Sequence, residues 1–217
     1  MSRPASQARQ TISYPERRAA MSRAAILAAA ETCFTQDGYA VSMDVIGKAA
    51  GVSRATLFSH FPTKEILYRS VVKAISEDQL SPLLEPLQDP GDFVANLLRF
   101  ARGYAKAVLT KRSLGIHRLT VTESQRFPEL SDSHLLAGIG RVLPMLEDYL
   151  VNGIERGLVR RADPKVLSEQ FLVSVIGYRQ ERALLGHTKG VSPPAEAYVE
   201  SAVQALLLAP LPKDPAS

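Results

Sequence analysis

The chain has 217 residues, of which 46% are hydrophobic and 22% charged, with one cysteine and a formal net charge of +4. That balance excludes a globally disordered chain, and a lone cysteine excludes an intramolecular disulfide framework. No stretch approaches the roughly 20 apolar residues of a membrane-spanning helix, so a reducing, cytoplasmic setting is expected. Charge is unevenly placed: residues 1–64 hold 8 Lys/Arg against 4 Asp/Glu, while residues 65–217 hold 18 of each. The excess positive charge therefore lies in the N-terminal third, where it favours a polyanionic partner.

Residues 1–20 carry four arginines, Pro4 and Pro15 without apolar periodicity, and are expected to form a mobile basic arm. The short apolar run after Arg23 is mostly alanine and stops at Glu31, which argues against a secretion signal. From Arg23, the residues Ile26, Leu27, Ala30, Cys33 and Phe34 recur at helical spacing, and Gly38 suits a helix stop. Ser42 is expected to cap a second helix with Val45 and Ala49 inward, ending at Gly51. Ser53 caps a very short third helix with Leu57 and Phe61 inward, which Pro62 closes. Thr63 then starts a long fourth helix, Lys64 to about Leu80, whose buried stripe is Ile66, Leu67, Val71 and Ile75.

Pro82, Pro86 and Pro90 make SPLLEPLQDPGD the expected hinge between domains. Beyond it, Phe93, Leu97, Phe100, Tyr104 and Val108 define a helix, Leu114–Val121 a shorter one, and residues 129–156 a bent pair. After Pro164 comes a further helical run through Leu185. The last helix, about residues 195–209, is apolar almost all round, and a second copy of the chain is the expected cover. No strand-length alternation occurs, so the fold class is all-α.

The stretch AAGVSRATLFSHFPTKEIL has the logic of a helix-turn-helix, with Gly51 at the tight corner. Arg54, Ala55, Phe58 and Ser59 face outward on the third helix. Arginine can grip guanine bidentately, a small Ala55 admits a thymine methyl, and Ser59 can bond either kind of edge. Thr56, His60 and Lys64 flank this row as phosphate partners.

Residues 23–70 resemble, in order, the whole DNA-binding unit of the tetracycline-repressor (TetR) family, from Phe-x-x-x-Gly-Tyr (Phe34 to Tyr39) through SMDVIGKAAGVSRATLFSHFPTKEIL. The chain departs from the usual recognition helix at Ala55, where the family has glycine, and at Phe58, where it has tyrosine. Phenylalanine has no hydroxyl to give a phosphate. The resemblance implies that Ser42, Lys48, Thr56, His60 and Lys64 clamp the DNA backbone, and that Ser53, Arg54, Ala55 and Ser59 read bases. TVTESQRFPEL, RVLPMLEDYL and EQFLVSVIGYRQERALLG are similar to segments of one C-terminal subtype of that family. This implies a homodimer through the last two helices and a ligand cavity in the C-terminal domain whose occupancy moves helix 4.

The expected organisation is an arm (1–20), a three-helix DNA-binding domain (21–68), an effector-binding and dimerisation domain (69–210) joined to it by helix 4, and a tail (211–217). Expected cavity residues are Leu97, Phe100, Tyr104, Leu114, His117, Val121, Leu143, Phe171, Val175, Tyr178 and Arg179, with Thr120 and Glu123 as further polar candidates. Expected dimer residues are Leu167, Ser174, Leu185, Tyr198, Val199, Ala202 and Leu206. Ser131, Asp132, Ser133 and His134 splay around one helix and cannot form a triad. Gly138-Ile139-Gly140 lacks the third glycine of a dinucleotide loop. His117, His134 and His187 lie on separate segments without metal-ligand spacing, so no enzyme, cofactor or metal is expected. The function expected is a ligand-responsive repressor, a homodimer on a palindromic operator released by a small, mostly hydrophobic effector. The alternatives are a helical ligand-binding protein or enzyme, and a sequence-blind architectural DNA binder.

Overall fold

The computed structural model describes residues 13–187 and 192–208, and these divide into two compact units after Tyr68. All regular structure among the described residues is helical.

In the first unit, α1 (Tyr14–Asp37) begins earlier than expected. Ser13 and Glu16 form a reciprocal capping box, with the Glu16 carboxylate accepting from the Ser13 N–H at 2.8 Å, and Pro15 supplies a preset first-turn φ. Residues 14–20 are thus helix rather than arm, while residues 1–12 lie outside the described residues. Ile26, Ala30 and Phe34 are fully buried, and the Phe34 ring meets those of Tyr39 and Tyr68 with centroids 5.7 and 5.6 Å away. Helix α2 (Met43–Ala49) buries Ile46 and Gly47; Val45 and Ala49, expected inside, face solvent. The phase is set by Gly47: a β-carbon there would stand 3.3 Å from Leu57 Cδ2, so α2 and α3 (Arg54–His60) meet at that point. Gly51 has φ +67° in the intervening turn, a left-handed conformation that side-chain-bearing residues rarely adopt.

Helix α4 (Lys64–Gln88) holds Pro82 and Pro86 in its interior, so residues 81–88 of the expected hinge are continuous helix and only residues 89–92, with Pro90, lie between α4 and the next helix. Each proline removes one ladder donor, but Leu80, Leu83, Leu84 and Leu87 are buried beside them, and that apolar row outweighs the local penalty. Ile66, expected inside, is exposed.

The second unit contains α5 (Phe93–Val108), α6 (Lys111–Glu123), α7 (Pro128–Ala137), α8 (Ile139–Glu155), α9 (Pro164–Ile176), α10 (Arg179–Leu184) and α11 (Glu196–Gln204). The run after Pro164 is two helices, because α9 ends at Gly177. Leu97, Phe100, Leu146, Phe171, Val175 and Val203 lie at the centre of the core. Helix α11 packs on α5 and α9, and its end is pinned by backbone bonds from Arg160 to Leu206 and from Leu208 to Leu158, each 3.0 Å. The chain itself therefore covers the apolar side of its last helix. Leu167, Val199, Ala202 and Leu206, expected at a dimer interface, are interior core residues. Ser174, Leu185 and Tyr198 are exposed, as are Val166, Val173 and Tyr178. Residues 211–217 lie outside the described residues.

Candidate nucleic-acid interface and ligand pocket

The short helix α3 is held from below by Leu57, fully buried, and is followed by buried Phe61. Its N-terminus is closed by Ser53, whose hydroxyl accepts from the Thr56 N–H at 3.2 Å and pairs with the Thr56 hydroxyl at 2.8 Å. Arg54, Ala55 and Ser59 are exposed on the free side, with Phe58 half-buried. The Arg54 guanidinium donates to Asp44 Oδ2 at 3.1 Å and lies 5.4 Å from the Phe58 ring centre, so an ion pair across α2 and α3 and a cation–π contact fix its direction. Ser59 donates to the Thr56 carbonyl at 2.8 Å. Ser42 caps α2 by accepting from the Val45 N–H at 3.3 Å, and Lys48 is exposed in the last turn. Lys64 donates to the Val41 carbonyl at 3.3 Å and sits 4.8 Å from the Tyr39 ring centre, so its ammonium is already engaged by its own unit.

Ser53, Thr56 and His60 line a groove of about 520 Å³ whose other wall is Pro15, Arg18, Ala19 and Ser22 of α1. The first turns of α1 were missed as part of this surface. The Ser13-x-x-Glu16 capping box was the signal that could have placed them in a helix.

The second unit contains a pocket of about 280 Å³ among α4, α5, α6, α7 and α8, with Gln180 of α10 at its edge. Of the expected cavity residues, only Tyr104 and His117 line it. Leu97, Phe100, Phe171 and Val175 fill the core instead, Leu114 is buried outside the pocket wall, and Leu143 packs partly on the core. Val121 and Tyr178 face solvent, and Arg179 lies over the Tyr198 ring at 4.4 Å. Thr120 spends its hydroxyl on the Ile116 carbonyl at 2.9 Å, and Glu123 is half-buried away from the pocket. Helical periodicity finds buried faces, and a packed face and a cavity wall have the same periodicity.

His117 on α6 and His134 on α7, dismissed separately from sequence spacing, meet in this pocket with Nδ1 of the first 3.1 Å from Nε2 of the second. Burial lowers the affinity of both rings for a proton, and with the added repulsion of His117 it brings His134 to about 4. Burial also pushes the Tyr104 phenol up to about 12. No group of three or more metal-ligating side chains occurs among the described residues, so the two imidazoles stand as a hydrogen-bonded pair. Because folding lowers the His134 value below its ordinary 6.5, the unfolded chain takes up that proton first, and stability is expected to fall as pH drops from 6.5 toward 4. Thermal unfolding across that interval should show a smaller fall for His134→Gln than for the wild type.

A two-unit all-helical chain with a braced, outward-facing third helix defines a helix-turn-helix regulator. The pattern of bacterial regulatory proteins of the tetR family matches residues 26–71, and that of the AefR-like transcriptional repressor C-terminal domain matches residues 95–209, more than half the chain. The chain belongs to the TetR family of transcriptional regulators, a family of non-enzymes. Among relatives, the HTH-type transcriptional regulator YhgD of Bacillus subtilis is 27% identical over 65% of this chain and 73% of its own. The regulator RutR of Escherichia coli is 34% identical over 38% of this chain and 42% of its own. Among solved structures, a TetR-family regulator of Mesorhizobium loti superposes with TM-score 0.73 at 23% identity, covering 87% of this chain and 96% of that one. The flavonoid-responsive regulator FrrA superposes with TM-score 0.68 at 29% identity, covering 86% and 93%. Among the described residues no helix is long and apolar enough to cross a membrane.

Proposed function

We propose that the protein is a cytoplasmic, ligand-responsive repressor that binds a palindromic operator as a homodimer. The two α3 helices would enter successive major grooves about 34–36 Å apart. Ser53, Arg54 and Ser59, with Ala55 among them, read base edges; Ser42, Lys48, Thr56, His60 and Lys64 position the backbone, and Phe58 supports Arg54. The observation that carries this reading is the exposed row of α3 on a helix whose opposite side is locked by Leu57. Exposed Val173, Ser174, Tyr178, Leu185 and Tyr198 are the surface offered to a second copy.

The effector site is the pocket among α4 to α8, and its mostly apolar lining selects a small hydrophobic molecule. That FrrA is flavonoid-responsive supports an effector of this kind. Repression follows linkage: an effector that favours a dimer with misplaced α3 helices weakens operator binding, and the operator weakens effector binding by the same factor.

The test is enrichment of a random DNA duplex pool by the purified protein at near-physiological salt, beside Arg54→Ala. The wild type is expected to enrich a two-fold symmetric site, and the variant to lose about 1–3 kcal/mol of preference at the positions Arg54 reads. Binding without any enriched sequence would instead make it an architectural DNA binder, with steep salt dependence and no preferred site.

A further inference from the structure

The groove between α1 and α3 lies wholly within the first unit. On its α1 side, Pro15, Arg18, Ala19 and Ser22 recur at the spacing of a single helical stripe. The rest of the lining is the turn residues Gly51 and Val52 together with Ser53, Thr56 and His60. Of these described residues Arg18 is the only Lys or Arg, and none is Asp or Glu.

Local interactions hold this stripe in place. The Glu16 carboxylate accepts from the Ser13 N–H at 2.8 Å and from its hydroxyl at 2.7 Å, which closes the first turn of α1. The acid nearest to Arg18 in sequence is thereby committed to the helix start. One residue beyond Ser22, the Arg23 guanidinium stands 5.2 Å from the ring centre of buried Phe61, which ends α3. Helix α1 is thus tied to α3 beside the groove. The Ser53 and Thr56 hydroxyls share one hydrogen bond of 2.8 Å, which uses one of their two hydrogens and leaves the other to donate. Arg18 is exposed and forms no ion pair with a described residue.

We propose that this groove seats the sugar-phosphate backbone of DNA, and that Arg18 of α1 is a further backbone-positioning residue, donating to a phosphate oxygen alongside Thr56 and His60. This rests on the reading of α3 as the DNA-facing helix. A permanent cation and hydroxyl donors, with no carboxylate among them, suit a phosphodiester, whose free oxygens are charged and only accept. The position of the groove selects DNA over a free anion. A helix lying in the major groove has a backbone strand on each flank, and this groove occupies the flank of α3 that meets α1. One strand is then held from two helices, so Arg18 helps set the angle at which α3 enters without reading sequence.

The test is equilibrium binding of the full chain to two duplexes, one carrying the enriched site and one of the same length with that site scrambled, over a series of salt concentrations. Where no site is enriched, the scrambled duplex alone carries the comparison. Arg18→Ala is expected to weaken binding to both about tenfold at near-physiological salt. It should also flatten the slope of log affinity against log salt by about 1, the loss of one phosphate contact. Arg18→Lys keeps a cation and should restore the slope. Arg161→Ala, at an exposed site of the second unit, removes the same charge and should leave the slope unchanged, which separates a contact from net charge. Because Arg18 is exposed, its alanine variant should melt with the wild type, which thermal unfolding checks. An unchanged slope in Arg18→Ala would overturn the inference while leaving α3 as the reader, as would equal flattening by Arg161→Ala. A loss confined to the enriched duplex would also overturn it, by making Arg18 a base reader. Should the wild type bind neither duplex, this inference and the DNA-binding reading fall together.

Discussion

Phe34→Ala is expected to lower the stability of the first unit by about 3–5 kcal/mol. The ring has no exposed surface and forms one corner of a triangle with Tyr39 and Tyr68, whose own centroids are 5.5 Å apart at 80°. Truncation removes apolar area, leaves a void, and takes an edge-to-face partner from Tyr68 and a tilted ring contact from Tyr39. Neither ring can refill the space, because Tyr39 and Tyr68 are themselves 2% and 0% exposed. Urea unfolding of the full chain, followed by far-ultraviolet circular dichroism, measures the loss. Val121→Ala, at a residue 61% exposed, is the control and should stay within about 0.5 kcal/mol of wild type. A Phe34→Ala loss under about 1 kcal/mol would mean that the triangle is loosely packed.

Gly153→Val is expected to cost about 3 kcal/mol or more, against the ordinary rule that a side chain replacing glycine inside a helix stabilises it. A β-carbon at Gly153 would stand 2.4 Å from Phe93 Cζ and 2.7 Å from Val159 Cγ2. The Phe93 ring has little room to retreat. It stacks on Tyr149 at 4.5 Å and 8°, and the Tyr149 hydroxyl donates to the Phe93 carbonyl at 2.8 Å. Valine adds two more carbons to a place where the first does not fit. Gly153→Ala should fall between wild type and valine, so a stabilising alanine would show that Phe93 swings aside. Thermal unfolding of the three proteins gives the order.

The helices were legible because their caps and apolar spacing are local: Ser42, Ser53 and Thr63 each accept a backbone N–H at the helix start they mark. The exposed row of α3 was legible for the same reason, since seven residues with Leu57 inside leave few choices for what lies outside. Failures came where a tertiary effect opposed a local one. Pro82 and Pro86 resemble a break, but buried leucines on both sides of them carry the helix through. The apolar last helix resembles a surface awaiting a partner, but α5 and α9 of the same chain cover it. The pocket was least legible. His117 and His134 stand seventeen residues apart, on two helices, and only their packing brings two nitrogens to 3.1 Å.

If Arg54 reads a base as proposed, its ion pair with Asp44 makes that step an exchange of partners rather than a simple gain of one. Both side chains are more than half exposed, so the pair is weak and is screened by salt. Added salt strips phosphate contacts, which lowers affinity for every sequence alike. The same salt loosens Asp44's hold and lowers the cost of moving Arg54 onto a base. Overall grip and selectivity therefore respond oppositely to ionic strength, and discrimination should sharpen as binding weakens. On that reading Asp44 would act as a threshold, holding the guanidinium back until a base edge competes better than a carboxylate does.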